Sequence, residues 1–191
     1  MKNFRIFFLL LFTITLYAKP LIIDEKINFY DLLPHAQIYI DKSKVLDIDD
    51  IKNDNIIFKN NDKKLLGYGY SPNFNVWIKF TLKNNTNKTI NKIIEYDNSL
   101  TTSITFYDIS NKNTYQNGSF YIDKNRKTIN PIFKIKLEPN KTNTYYIKAN
   151  SYITSLIIKL NMWEDEPFYE KEIKHQFYLA LFFGAMIILA L

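Results

Sequence analysis

Apolar and polar residues alternate with a period of two along much of the chain. In the clearest run every second residue from Phe74 to Leu82 is apolar, and Trp77 lies among the polar residues between them. This alternation is typical of a strand with one buried face. Polar, turn-rich stretches follow, and Asn117–Gly118 is the strongest short turn signal. Strand patterns recur in five further segments: KIIEYD (92–97), SITFYDI (103–109), IFKIKL (132–137), TYYIKA (144–149) and ITSLIIKLNM (153–162).

Strands at intervals of about 10–15 residues, with no long helical pattern between them, predict an antiparallel β structure. We therefore predict a mainly β protein, built as a sandwich or barrel whose strands each have one solvent-facing side. The part before Phe74 is less regular. It is predicted to hold a strand at 36–41, a short helix within 44–54 and a turn-rich loop at 58–72.

The first 18 residues have the features of a secretory signal. A positively charged start precedes an apolar core at 6–16, and Ala18 offers a small residue before a cut that would leave Lys19 as the mature N-terminus. Leu16, at the third position before the cut, is larger than ideal, so an uncleaved membrane anchor is the alternative. The apolar run is short for a span of about 20 residues, which favours a signal peptide at 1–18.

The last 15 residues, Phe177 to Leu191, carry no charge. A transmembrane helix needs about 20 residues, so this run is either a buried core helix or the first part of a span. Nearby aromatic residues favour the span, because they would form a belt at the membrane interface: Trp163, Phe168, Tyr169, Phe177 and Tyr178. We expect the chain to be a fragment of a longer protein or the product of a truncated reading frame.

Together these features predict four parts. A signal peptide at 1–18 is followed by an extracytoplasmic β-sandwich domain at 24–165, a juxtamembrane coupling segment at 166–176 and the start of a transmembrane helix at 177–191. The expected location is the inner (cytoplasmic) membrane, with the β domain in the periplasm.

Composition narrows the function. The formal net charge is +6, but the lysines are spread singly, whereas a nucleic-acid surface would cluster them with Arg, so no nucleic-acid partner is expected. The chain has no Cys, and its two His, His35 and His175, lie near opposite ends. The acidic cluster at 47–54 lacks the Gly of a calcium loop, and the cluster at 164–166 lies outside any obvious cleft. We predict no catalytic residue, no metal ligand and no cofactor.

Four residues are candidates for ligand binding. Trp77, on the polar face of its strand, could stack on a sugar or another flat ligand, unless the N-terminal segment covers it. Arg126 is the only Arg after the predicted signal, and it either binds an acidic ligand or fixes a loop to an internal carboxylate. Tyr68 and Tyr70 lie in the stretch GYGYSP, which is either a binding loop or a simple turn.

The order of these patterns and their join to a membrane helix resemble one known family. The likeness is carried by four stretches: IYIDKSKVLDIDDI (38–51), LGYGYSPNFNVWIKFTLKN (66–84), RKTINPIFKIKLEPNKTNTYYIKANS (126–151) and SLIIKLNMWEDEPFYEKEIKHQFYLALFFG (155–184). They are similar to the second type of extracellular domain in bacterial seven-transmembrane receptors with diverse intracellular signalling modules (7TMR-DISM). Six further membrane helices and any cytoplasmic module are absent from this chain.

The resemblance implies a jelly-roll sandwich, similar to carbohydrate-binding modules and used as a sensor domain. Receptors of this kind typically feed a histidine kinase, diguanylate cyclase or phosphatase module. We therefore expect a ligand-sensing domain that is not an enzyme. Its expected partners are a small molecule, with carbohydrate as one class, the membrane through the C-terminal helix, and a second copy in a homodimer of the full-length receptor. The alternative is a membrane-anchored carbohydrate-binding or envelope-structural module without a signalling role.

Overall fold

The computed structural model describes residues 19–24, 27–53, 55–122 and 126–190. The predicted signal peptide at 1–18 lies outside them. Within the described residues, the chain forms thirteen strands, two α-helices and a 3₁₀ turn at Leu33–His35. The strands are β1 (Leu21–Ile23), β2 (Phe29–Asp31), β3 (Gln37–Asp41), β4 (Lys59–Asn60), β5 (Leu66–Tyr70), β6 (Asn75–Asn84), β7 (Ile90–Tyr96), β8 (Ser103–Asp108), β9 (Asn113–Asn117), β10 (Ile132–Leu137), β11 (Thr142–Asn150), β12 (Ser155–Ile158) and β13 (Leu160–Trp163). The helices are α1 (Ile48–Ile51) and α2 (Asp165–Ala190).

Two sheets form the body of the domain. The larger sheet has the strand order β4-β3-β6-β11-β8-β9, and β1 pairs with β6 in parallel, whereas its other pairings are antiparallel. The smaller sheet is antiparallel with the order β10-β7-β13-β2. β5 and β12 form a separate antiparallel pair.

Inward-facing side chains of both sheets share one apolar core. Phe106 of β8 stacks on Phe133 of β10, with the ring centroids 4.7 Å apart, and so joins the two sheets. Along β10, Phe133, Ile135 and Leu137 are buried while the two lysines that alternate with them are exposed, as the alternation predicts. Each large apolar side chain that is buried in this way stabilises the fold by about 1.5–3 kcal/mol.

The prediction of a mainly β protein with antiparallel sheets is confirmed. The five strands predicted by alternation or short apolar runs between Phe74 and Ala149 are all present, as are the strand at 36–41 and the short helix after it. The jelly-roll connectivity stays a prediction.

Two local predictions are wrong, and one strand was missed. The segment 153–162 forms two strands in different sheets, β12 and β13, although its alternate residues Leu156, Ile158, Leu160 and Met162 are all buried. Within the predicted loop at 58–72, residues 59–60 and 66–70 form the strands β4 and β5. β9 was missed because its sequence, NTYQN, has no apolar alternation. The β8–β9 hairpin turns at 109–112, and the Asn117–Gly118 signal lies at the end of β9, where the chain bends.

A smaller apolar cluster lies on the outer face of the larger sheet. It centres on Trp77, Tyr146 and Ile51, and residues between Leu46 and Phe58 pack over it. α1 lies in this covering segment and starts with a capping box: the Asp47 side chain accepts from the backbone N–H groups of the first turn.

Within the described residues, α2 is the one helix long and apolar enough to cross a membrane. It extends from Asp165 to Ala190 without a break, so the predicted coupling segment at 166–176 and the described part of the predicted span from Phe177 lie in one continuous helix.

Candidate functional site

The first part of α2 is docked on the outer face of the smaller sheet through a buried carboxylate, Glu95 of β7. The Lys171 ammonium of α2 forms an ion pair with Glu95 Oε1. Trp163 Nε1 donates to Glu95 Oε2 at 2.8 Å, and the side chains of Asn130 and Asn161 donate at 2.9 and 3.3 Å. A buried charge needs such partners, because its desolvation is costly unless hydrogen bonds and an opposite charge replace water. The network therefore holds the helix against the sheet.

Aromatic packing reinforces this docking. Phe168 of α2 is fully buried and lies edge-on to Trp163, which packs on Phe29 with a centroid distance of 4.4 Å. The expectation that Phe168 belongs to an interfacial aromatic belt is therefore wrong, because its ring is buried where the helix packs on the sheet. Trp163 is partly exposed, and its place in the belt stays a prediction. Phe177 and Tyr178, at the start of the apolar run, are 59% and 66% exposed and remain available for a membrane interface.

The connection between β9 and β10, residues 118–131, is also bound to α2. The backbone N–H of Ile129 donates to Glu172 Oε2 at 3.0 Å, and Glu172 is only 3% exposed. One turn further along the helix, Gln176 Nε2 donates to the backbone carbonyl of Lys127 at 3.5 Å. The connection thus reaches the helix at the level where the apolar run begins.

A groove lies between β9 and β10, beside α2. Its two adjoining parts have volumes of about 440 and 290 Å³ and share Asn117, Ile132 and Lys134 in their lining. Arg126 and Tyr169 line the smaller part, so a residue of the connection and a residue of the helix face the same space.

Arg126 donates through Nη1 to Asn117 Oδ1 at 3.1 Å, so the partner described for it is an amide oxygen rather than the expected carboxylate. Lys134 Nζ lies 5.6 Å from the centroid of the Tyr169 ring, and interaction with the Tyr169 hydroxyl raises the pKa of the Lys134 ammonium. Among the described residues, the groove lining includes Arg126, Lys127 and Lys134 but no Asp or Glu. Three cations and two tyrosines, Tyr115 and Tyr169, suit a small anionic molecule with a flat or apolar part.

Trp77 is placed differently from the expectation of a solvent-facing ring. Its side chain has no exposed surface, because the segment around α1 covers it. The ring stacks on Tyr107 with centroids 5.6 Å apart, and Lys148 Nζ lies 5.1 Å from its centroid. The alternative of a covered Trp is the one observed, and ligand stacking would require that segment to move.

Tyr68 and Tyr70 lie on β5 with their side chains apart. Tyr68 packs against the main core and edge-on to Phe74, and it lines a cavity of about 460 Å³ beside β3 and β4. Tyr70 is 73% exposed at the end of the strand. The four predicted residues therefore do not form one site, because Trp77, Tyr68 and Arg126 belong to three separate places.

Sequence reasoning missed the residues that join the sandwich to the helix. Glu95 occupies an outward position of β7, and a lone carboxylate in such an apolar strand is the signal that could have marked it. Lys92 is likewise fully buried and pairs with Glu164 just before α2. Within the part of the chain that the structure describes, no group of three His, Asp or Glu side chains could hold a metal ion.

Comparison with known proteins agrees with this architecture. A family model described as 7TMR-DISM extracellular 2 matches residues 33–164 of the chain, which begin at the 3₁₀ turn and end just before α2. The search of curated proteins found no match. The matched residues make up more than half of the chain, so the chain belongs to the family of 7TMR-DISM extracellular domains of the second type, and its β domain is the extracellular domain of a membrane receptor.

Proposed function

We propose that this chain is the extracytoplasmic ligand-sensing part of a bacterial signalling receptor and that the groove between β9 and β10 receives the ligand. The observation that carries the proposal is the shared lining: Arg126 of the connection and Tyr169 of α2 face the same cavity. A molecule in this groove would touch both the sandwich and the helix that leads into the membrane.

The mechanism follows from the docking contacts. A ligand shifts a two-state equilibrium only if it binds one state more tightly than the other. A ligand bound by Arg126 and Lys134 would pull on the connection that holds Glu172 through the Ile129 N–H, and it would press on Tyr169 directly. The proposed two states therefore differ in how the first turns of α2 sit on the smaller sheet.

The remaining parts of the proposal concern the complete receptor. The β domain would lie in the periplasm and α2 would be the first span in the inner membrane, and an output module of the complete receptor would receive the signal. The chain would bind its ligand without converting it, and a homodimer of complete receptors would bring two helices together. The candidate span supports the membrane placement.

A thermal-shift screen of the chain in lipid nanodiscs tests the proposal. The panel holds small carboxylic acids, acidic and neutral sugars, and phosphate esters. We expect an anionic member to raise the unfolding temperature with concentration, since a ligand at 100 times its dissociation constant stabilises the folded state by about 2.7 kcal/mol. Arg126→Gln should abolish the shift, whereas Lys63→Gln, at an exposed lysine outside the groove lining, should preserve it.

Loss of the shift in both variants, or in neither, would contradict a site at Arg126. If no member of the panel changes the unfolding temperature, the result counts against the sensing role itself.

The second candidate function is an anchored carbohydrate-binding module without signalling. The cavity beside β3 and β4 favours it, because Tyr39 and Tyr68 line it together with Ile38 and Leu66, and aromatic rings can stack on sugars. Neutral oligosaccharide binding that is lost in Tyr68→Ala and kept in Arg126→Gln would support this function over the first.

A further inference from the structure

Exposed apolar side chains concentrate in four loops at one end of the sandwich. Single exposed apolar residues are ordinary, but a group of them in neighbouring loops marks an interaction surface. The exposed fractions are 73% for Tyr70, 62% for Leu100, 59% for Phe120, 47% for Tyr121, 59% for Ile122, 56% for Tyr152 and 50% for Ile153. We call these seven residues the apical surface.

Hydrogen bonds tie the four loops together. The backbone N–H of Ser71 donates to the Thr154 carbonyl at 2.9 Å, and Thr154 Oγ1 donates to the Leu100 carbonyl at 2.9 Å. The Tyr152 N–H donates to Thr102 Oγ1 at 3.1 Å, and the Phe120 N–H donates to the Thr102 carbonyl at 3.2 Å. The apical residues therefore lie on one connected structure rather than on independent flexible tips.

The apical surface lies at the end of the sandwich from which α2 leaves. The connection that carries Phe120 is bound to α2 at Glu172 and Gln176, and the apolar run starts at the next residue, Phe177. The strand pairings agree with this placement. Ile132, at the start of β10, pairs with Glu95 near the end of β7, so the residues that bind α2 and the loop with Leu100 lie at the same end. Ser103, at the start of β8, pairs with Asn150 at the end of β11, so the loops with Leu100 and Tyr152 are neighbours there.

From this placement we infer that the apical surface rests on the lipid bilayer that α2 enters. The surface lies at the end of the sandwich where the apolar run of α2 begins. Its three tyrosines and Phe120 are the residue types that favour the headgroup level of a bilayer. Lys127 is exposed beside Gln176, so its charge complements anionic headgroups near the same level. The inference does not depend on any ligand of the groove.

Contact with the bilayer gives the sandwich a second attachment beside the helix. A domain held only by α2 could tilt freely about the point where the helix enters the membrane. With the apical surface seated on lipid, tilting would lift Tyr and Phe side chains out of the headgroup layer, so the orientation of the domain relative to the membrane is fixed.

Spin labels on single cysteines test this in the full chain, which has no Cys of its own. Phe120→Cys and Tyr152→Cys probe the apical surface, and Ile22→Cys is the control. Ile22 of β1 is 51% exposed. It pairs with Lys83, which lies near the end of β6 that is remote from the apical surface. The labelled chain is reconstituted in vesicles of phosphatidylethanolamine and phosphatidylglycerol, and collisions with oxygen, which concentrates in lipid, are compared with collisions with a water-soluble nickel complex.

We expect the oxygen-to-nickel collision ratio to be several-fold higher at positions 120 and 152 than at position 22. Ratios at both positions equal to that of position 22 would overturn the inference. Labels that are protected from both reagents would also overturn it, because they would show that a protein surface, such as a second copy of the chain, covers the apex. Thermal unfolding of each labelled variant, which we expect to match the parent chain, excludes misfolding as the cause.

Discussion

Glu95 shows how much of the link between domain and membrane rests on a single residue. It is a fully buried carboxylate with one cation and three neutral donors around it. Of these partners, Trp163 lies just before α2 and Lys171 lies within it. Removing one partner of a buried ion pair lowers stability by more than the intact pair contributes, because the remaining charge stays desolvated. The docking of α2 is therefore sensitive to substitution at Lys171.

We predict that Lys171→Met weakens this docking by about 2 kcal/mol, a moderate cost since the neutral donors remain. Hydrogen exchange of the backbone amides in residues 168–173 should speed up accordingly. Lys174→Met, at an exposed lysine of the same helix, is the matched control and should leave exchange unchanged. Equal exchange in the two variants would show that the Glu95–Lys171 pair does not hold the helix.

Asp97 gives the domain a defined dependence on pH. Burial by itself would raise the pKa of this carboxyl, but the hydrogen bond and charge of Lys159, 2.7 Å away, outweigh burial and hold the pKa below the ordinary 3.8. A carboxyl with a lowered pKa in the folded state stabilises the fold above its unfolded pKa and loses this effect as the pH falls through the folded value.

We therefore expect Asp97→Asn to destabilise the chain at pH 7, by less than about 1 kcal/mol because the pair is partly exposed. The difference in unfolding free energy between the parent and the variant should shrink below pH 4. Denaturant titrations at pH 7 and pH 3 measure it. Glu138→Gln serves as the comparison, because this exposed carboxylate directly after β10 forms a surface ion pair with Lys136. A difference that stays constant with pH would exclude the proposed role of Asp97.

The residue scale also shows where sequence reasoning stops. Alternation placed Trp77 correctly on the face opposite the main core, but which segment covers that face depends on the path of residues 46–58, which local pattern does not encode. Glu95 was missed for the same reason, because its partners at 130, 161, 163 and 171 lie 35 to 76 positions away.

Among the elements, the strands with alternating apolar residues were predictable because each buries one face in the shared core. β9 could not be recognised because it is a largely polar strand at the edge of its sheet, and within the described residues it pairs with β8 alone. β12 pairs with β5, whereas β13 belongs to the smaller sheet. The chain therefore passes from one sheet to another at Lys159, although the apolar alternation continues through both strands.

The connection between β9 and β10 depends on Gly118. Its φ is +133°, and a Cβ there would lie 2.5 Å from the Thr102 carbonyl oxygen. We predict that Gly118→Ala destabilises the chain by about 1–3 kcal/mol, because both the backbone conformation and the close approach exclude a side chain. Gly67→Ala, with open space around its Cβ, is the control and should have little effect on the unfolding temperature. A Gly118 variant as stable as the Gly67 variant would contradict this account.

The continuity of α2 allows a test of coupling at the scale of the element. In a complete receptor that carries this domain, insertion of two alanines between Lys174 and His175 turns the membrane part by about 200° relative to the docked part, while seven alanines restore the phase to within about 20°. We expect the two-residue insertion to abolish the ligand response and the seven-residue insertion to retain more of it, with ligand affinity little changed in either. An unaltered response after the two-residue insertion would show that helix phase does not carry the signal.

At the scale of the whole molecule, the fold, the docked helix and the apical surface define one orientation. The sandwich lies outside the cytoplasm as the extracellular domain of its family, and in the proposed orientation the candidate span α2 passes inward with the apical loops toward the bilayer. The chain should therefore appear in the membrane fraction, and trypsin added to intact spheroplasts should cut the sandwich in the exposed segment that contains Lys63 and Lys64. Immunoblotting with an antibody against the sandwich measures the cleavage, and a cytoplasmic marker that stays intact shows that the spheroplasts are sealed. Recovery of the chain in the cytosolic fraction, or a sandwich that trypsin reaches only after lysis, would contradict this orientation and with it the placement of the groove toward extracytoplasmic ligands.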